Sequence, residues 1–158
     1  MIIEYNDKYK KDVKDLLVEL QEYIVSIDQD KYNIITDEYR YKYFDKTIEE
    51  VSKYEGKIFL YEHDNRIVGV IVGIINNEEE STYDFKAPKR GRITELIVKK
   101  EYRKYGIGQR LMDYMEEYFK SVGCKAILLD VFSYNESAKK FYSKNGYYNR
   151  LEEMMKKI

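Results

Sequence analysis

The chain has 158 residues, of which 36% are charged, and its acids and bases cancel to a net charge of -1. That length suits one domain spanning 1–158, able to bury roughly 70% of its unfolded surface in one core, and the charge balance gives no general pull toward nucleic acid or anionic membrane. One cysteine permits no internal disulfide, and Met1-Ile2-Ile3-Glu4 lacks the basic start and apolar stretch of a signal peptide, so a cytoplasmic protein is expected.

Ile2 to Tyr5 reads as a short strand. Asn6-Asp7 then cap a helix to about Ile27, with Tyr9, Val13, Leu16, Leu17, Leu20, Ile24 and Ile27 on one face. The segment 28–56 is rich in tyrosine and charge, and its weaker stripe of Tyr43, Phe44, Ile48 and Val51 suggests a second helix ending near Gly56. Lys57 to Glu62 and Arg66 to Asn76 read as an antiparallel hairpin turned at Asp64-Asn65. The run Ile67 to Ile75 suits a strand buried on both faces; it holds two glycines and is too short to cross a bilayer. Residues 76–91, with Glu78-Glu79-Glu80 and Pro88, read as a polar surface loop in which Lys86, Lys89, Arg90 and, just beyond it, Arg92 are solvated.

Arg92 to Val98 returns as a strand, followed by a helix carrying Ile107, Leu111, Met115, Phe119 and Val122 on one face and ended by Gly123 in a left-handed C′ position. Ala126 to Val131 is a further strand, parallel to the preceding one because a helix connects them. Asn135 caps a short helix with Ala138, Phe141 and Tyr142, stopped at Asn145-Gly146, and Tyr147 to Met155 reads as a closing strand. The expected order is β-α-α-β-β-β-α-β-α-β, an α/β (α+β) mixed sheet flanked by helices.

The centre of this pattern is Arg103-Lys104-Tyr105-Gly106-Ile107-Gly108, where a strand feeds a helix through a basic turn with two glycines. The first N–H groups of a helix have no intrahelical partners and favour an anion, and glycine lets a ligand approach the backbone closely. A dinucleotide fingerprint needs glycine at position 111, where Leu111 stands; a P-loop needs Gly-Lys-Ser/Thr, which Gly108-Gln109-Arg110 is not. Taken alone, the glycines would also suit a plain tight turn.

The stretch resembles the acetyl-CoA motif of the GNAT superfamily of N-acetyltransferases, Gln/Arg-x-x-Gly-x-Gly/Ala, at Arg103, Gly106 and Gly108. A second stretch, Asn135-x-x-Ala138-x-x-Phe141-Tyr142-x-x-x-Gly146-Tyr147, resembles the family's late Asn-x-x-Ala-x-x-Phe-Tyr-x-x-x-Gly-Phe, with Tyr147 in place of Phe; Lys100 stands where many members have proline. The resemblance covers essentially the whole chain and implies an acetyl-CoA-dependent transfer of an acetyl group to a primary amine of a small molecule or peptide, without a metal. It implies that the strand at Leu96, Ile97 and Val98 is splayed from the Ala126 strand to admit the pantetheine arm. Amides from Lys104 through Tyr105, Gly106 and Ile107 to Gly108, led by Arg103, would hold the pyrophosphate, with Asn135 near the cofactor arm and Tyr142 as the general acid. Asn135 also suits a plain N-cap. A catalytically silent acyl-CoA-binding sensor or interaction module is the alternative on the same fold, and a homodimer is compatible with either.

A primary amine is protonated at neutral pH, with a pKa of about 10.4, so a base or proton route is required. Glu95 is the carboxylate nearest the cofactor strand in sequence, with its side chain opposite that of Leu96; a structural carboxylate is the competing reading. Cys124 reads as a small core residue rather than a nucleophile, and His63 carries no role. The acceptor pocket falls to the first two helices and the loop after Ile75, where Asp28, Asp30, Asp37, Tyr32, Tyr39 and Tyr41 would suit a cationic amine.

Overall fold

The computed structural model describes residues 1–76 and 83–158. The Glu78-Glu79-Glu80 loop expectation lies outside the described residues. Among them, five strands form one sheet in the order β1 (Ile2–Glu4), β2 (Lys57–His63), β3 (Arg66–Asn76), β4 (Arg90–Val98) and β5 (Ala126–Leu128). Neighbours are antiparallel except β4 and β5, which run parallel on either side of a helical crossover, as a strand–helix–strand connection requires. Helices α1 (Lys10–Ile27) and α2 (Asp37–Lys53) precede β2, α3 (Ile107–Ser121) joins β4 to β5, and α4 (Glu136–Lys144) follows. The α/β mixed sheet flanked by helices is thus the architecture found.

The sheet is apolar on both sides because β3 supplies alternate residues to two cores. Val68, Ile71 and Ile75 meet Ile107, Leu111, Met112, Met115 and Phe119 of α3. Ile67, Val70 and Val72 meet Val13, Leu16 and Leu17 of α1 and Phe44 of α2. Helix α3 sits close to the strands because glycine faces it: a Cβ on Gly91 would lie 2.4 Å from Phe119 Cδ2, and one on Gly73 would lie 2.6 Å from Met115 Sδ.

Local chemistry sets the element ends. Asn6 caps a 3-10 turn over Asp7–Tyr9 that runs into α1, and Thr36 caps α2 by accepting from the Tyr39 N–H at 3.0 Å. Asp64 and Asn65 both have positive φ, 47° and 58°, the pattern of a two-residue hairpin turn matched to strand twist. Gly123 has φ 85°, and the N–H groups of Gly123 and Cys124 return to the carbonyls of Lys120 and Phe119, closing α3 with a Schellman motif.

Three expectations are corrected. No strand forms over Tyr147 to Met155: the described residues 147–158 are neither helix nor strand, and the β-prone Tyr147 is taken by the end of α4. Strand β5 ends at Leu128 rather than Val131. Arg90 belongs to β4 rather than the loop and is buried at 4% exposure, its guanidinium 5.9 Å from the Phe85 ring, while Arg92 pairs with Asp130 at 2.8 Å. Neither arginine is the solvated charge that composition suggested, because position in the sheet overrides residue type.

Candidate active site

The parallel ladder between β4 and β5 has three pairs, Arg90 with Ala126, Gly91 with Ile127 and Arg92 with Leu128. Strand β4 continues for six more residues, and among the described residues no strand pairs with 93–98 on that side. The result is an open edge of backbone donors and acceptors beginning inside the fold, at Leu96, Ile97 and Val98.

The same stretch contains a bulge. Val72 pairs with Glu95 and Gly73 with Ile93, so Thr94 has no opposite number on β3. Without the extra residue Ile93 and Glu95 would share a face. With it, Ile93 and Leu96 pack toward α3, while Glu95 turns to the other side, where α2 lies. The expected opposition of Glu95 and Leu96 is therefore present, and the bulge supplies its position.

Glu95 is 7% exposed. Tyr43 of α2 donates to Glu95 Oε1 at 2.5 Å and the Thr94 hydroxyl donates to Oε2. Burial holds its carboxyl above the usual carboxylate range, opposed by these two hydrogen bonds, which favour the ionised form. Tyr39 stacks on Tyr43 with ring centroids 4.4 Å apart, and burial raises both phenols. In the sequence Tyr43 reads only as part of an apolar stripe; its hydroxyl finds a partner 52 residues away, which no local pattern signals.

The turn after β4 is tied down by Arg103, whose Nε donates to the Val98 carbonyl at 2.8 Å and whose guanidinium lies 5.7 Å from the Tyr23 ring. Lys104 and Gly106 both have left-handed backbones, φ 69° and 75°, with the exposed Tyr105 between them. Gly106 is the N-cap of α3 and no side chain caps it. The first helical bond is Arg110 N–H to the Gly106 carbonyl, so among the described residues the amides of Ile107, Gly108 and Gln109 have no backbone partner and face the turn.

Helix α4 is built differently. Asn135 Oδ1 caps it through the Ala138 N–H at 3.3 Å and also accepts from Tyr23 and Ser137. At the other end Gly146 has φ 81°, and the N–H groups of Gly146 and Tyr147 reach the carbonyls of Ser143 and Tyr142. Tyr147 thereby folds back on Tyr142, ring centroids 5.9 Å apart, as residues flanking a Schellman turn do. The spacing of Asn135, Tyr142, Gly146 and Tyr147 is thus the spacing of an N-cap, a last-turn residue, a left-handed stop and its hydrophobic clasp. Burial pushes the Tyr142 phenol up to about 12.

Of the acidic residues considered for an acceptor, Asp28 is internal. Its carboxylate accepts from the Asp30, Tyr32 and Asn33 backbone N–H groups, from the Asn33 amide and from Tyr134, and these bonds hold it well below the usual carboxylate range. Cys124 is half-buried with its thiol raised by burial, consistent with packing rather than attack.

A backbone edge open from residue 93 and an uncapped helix start at Gly106 are the two features an extended, phosphate-bearing cofactor needs. The model of the acetyltransferase (GNAT) family matches residues 21–147, and the chain belongs to that family. It is 34% identical over 100 residues to an uncharacterised N-acetyltransferase of Methanocaldococcus jannaschii, covering 63% of this chain; the chain spans only 57% of that relative's length. It is 26% identical over 113 residues to a glucosamine 6-phosphate N-acetyltransferase of Arabidopsis thaliana, covering 72% of this chain and 74% of that one. An aminoglycoside N-acetyltransferase solved in complex with CoA shares the fold at a TM-score of 0.70 and 13% identity, over 100% of both chains. Among the described residues no helix is long and apolar enough to cross a membrane.

Proposed function

We propose that the chain transfers an acetyl group from acetyl-CoA to a primary amine. The observation that carries this reading is the pair of glycines at the start of α3. A Cβ built at Gly106 meets nothing within 4 Å, and one at Gly108 makes only ordinary contact, 3.5 Å to Phe141. The φ of 75° accounts for Gly106. Packing does not require so small a residue at 108, and a small side chain there keeps the helix amides open to a ligand.

When bound, acetyl-CoA supplies an acetyl group on a thioester whose departing sulfur needs a proton. The edge at Leu96, Ile97 and Val98 would pair with the pantetheine amides, and the amides from Lys104 to Gly108 would hold the pyrophosphate, with the α3 dipole behind them. Arg103 holds the turn in that shape through Val98. Asn135 caps α4 and accepts from Tyr23, whose ring faces the Arg103 guanidinium, and would thereby sit near the cofactor arm. Tyr142, with its phenol pushed up to about 12, is protonated at every physiological pH and is the proton donor in this reading. Glu95 accepts the amine's proton, directly or through water: its raised carboxyl is a stronger base than an exposed one, and Tyr43 and Thr94 fix its orientation.

The test is incubation with acetyl-CoA and a panel of primary amines, following thiol release and the acetylated product by mass spectrometry. Product with one class of amine supports the reading. CoA binding with no acetylated amine across the panel would assign the chain to the silent acyl-CoA-binding module instead.

A further inference from the structure

The segment 147–158 has no regular structure, yet two of its cations are seated on loops, one before β4 and one between α1 and α2. The Arg150 guanidinium lies 5.6 Å from the ring of Phe85, in the loop before β4. Lys157 Nζ lies 3.2 Å from Asp30 Oδ1 and 5.5 Å from the ring centroid of Tyr32, in the loop between α1 and α2. The segment therefore runs from one loop to the other.

The seat of Lys157 does not depend on Lys157. Asp28 gathers the N–H groups of Asp30, Tyr32 and Asn33, so the loop that carries the Asp30 carboxylate and the Tyr32 ring is shaped from within. The bond from Tyr134 to Asp28 fixes this loop beside Asn135, the cap of α4. A carboxylate beside an aromatic face is the chemistry that receives an ammonium group. The lysine side chain is 58% exposed and Asp30 35%, so the contact is one of low cost to break.

We propose that Asp30 and Tyr32 form a cation subsite for the acceptor, occupied within the chain by Lys157, so that amines carrying a second cation are selected and must displace it. This rests on the amine-acceptor reading above. The segment 147–158 then acts as a tethered competitor: it weakens binding of dicationic amines and leaves monoamines, which have no second charge to place, indifferent to it.

The full chain is titrated by calorimetry, in the presence of CoA, with 1,5-diaminopentane and with 1-aminopentane. Lys157→Gln should tighten the diamine about three- to five-fold, the range of a partly exposed ion pair, and leave the monoamine within two-fold. Asp30→Asn, checked by its melting temperature to be folded, should weaken the diamine by a similar factor and spare the monoamine. Equal shifts for both amines, an unchanged diamine affinity in Lys157→Gln, or no measurable diamine binding to that variant would overturn the proposal. Acetylation of 1-aminopentane without this discrimination removes the subsite alone, whereas discrimination in binding without any acetylated amine removes the enzymatic reading alone.

Discussion

Tyr43 of α2 and Glu95 of β4 are joined by a 2.5 Å hydrogen bond that links the helical layer to the bulged strand. Glu95 is buried with its carboxyl above the ordinary range, so its ionised form is less favourable in the folded chain than in the unfolded one. Such a group costs nothing while protonated in both states. Its penalty sets in above the unfolded value of about 4.3 and is complete once pH passes the raised folded value.

Urea unfolding of the wild type and Glu95→Gln, compared at pH 4 and pH 7.5, should show the variant gaining stability relative to wild type as pH rises. A constant difference would mean that the Glu95 carboxyl titrates normally.

Tyr43→Phe removes a bond that favours the ionised carboxylate, so the Glu95 carboxyl should rise further. If Glu95 is the base, the acidic limb of kcat/KM for acetyl transfer should shift to higher pH in this variant, with the plateau retained. A limb that stays in place would separate Glu95 from the proton transfer.

Gly108 sits inside the first turn of α3 with room for a methyl group. Gly108→Ala should raise the melting temperature of the free protein, since alanine is favoured over glycine in a helix by about 0.5–1 kcal/mol. The acetyl-CoA motif admits alanine here, so Gly108→Ala should still bind CoA, whereas the larger side chain of Gly108→Leu should obstruct its approach. At 100 times the dissociation constant CoA is expected to stabilise the wild type and Gly108→Ala by about 2.7 kcal/mol; in Gly108→Leu most of that shift should disappear while the fold is retained. An undiminished shift in Gly108→Leu, read by thermal denaturation with and without CoA, would remove this turn from cofactor binding.

Tyr142→Phe keeps the ring that Tyr147 clasps and removes the hydroxyl. A loss of roughly 10²-fold in kcat with CoA affinity unchanged is expected for a proton donor. Near-normal turnover, with chemistry shown to be rate-limiting, would leave Tyr142 as a packing residue.

Gly91→Ala tests the seating of α3. Its Cβ would meet the buried ring of Phe119 at 2.4 Å, so the strand or helix must shift. Overpacking of this kind costs about 1–3 kcal/mol, which urea unfolding would read. No loss would mean that Phe119 moves freely within the core.

The parts of the fold legible in the chain alone are those whose causes lie within a few residues. The Asp64-Asn65 turn, the stop at Gly123, the uncapped start at Gly106 and the Asn135-to-Tyr147 unit are each made by hydrogen bonds spanning at most five residues or by one positive φ. Both family motifs are of this kind, which is why they could be read from spacing. The helical stripes of α1 and α3 belong here too, since a period of 3.6 already states which face is buried.

What depended on the tertiary structure is set by partners far away in the chain. The bulge at Thr94 exists only in the register of β4 against β3, and it alone turns Glu95 toward Tyr43. Arg90 is charged and sits beside a proline-containing loop, yet it is buried because β4 starts there and pairs on both sides. Tyr147 to Met155 has strand-like residues, but strand formation needs a vacant edge at the right place, and Tyr147 is instead held by the carbonyl and ring of Tyr142. Local sequence determines turns, caps and apolar faces because their energies are local; the register that aims a carboxylate, and the edge that a final segment can or cannot join, are decided by long-range pairing.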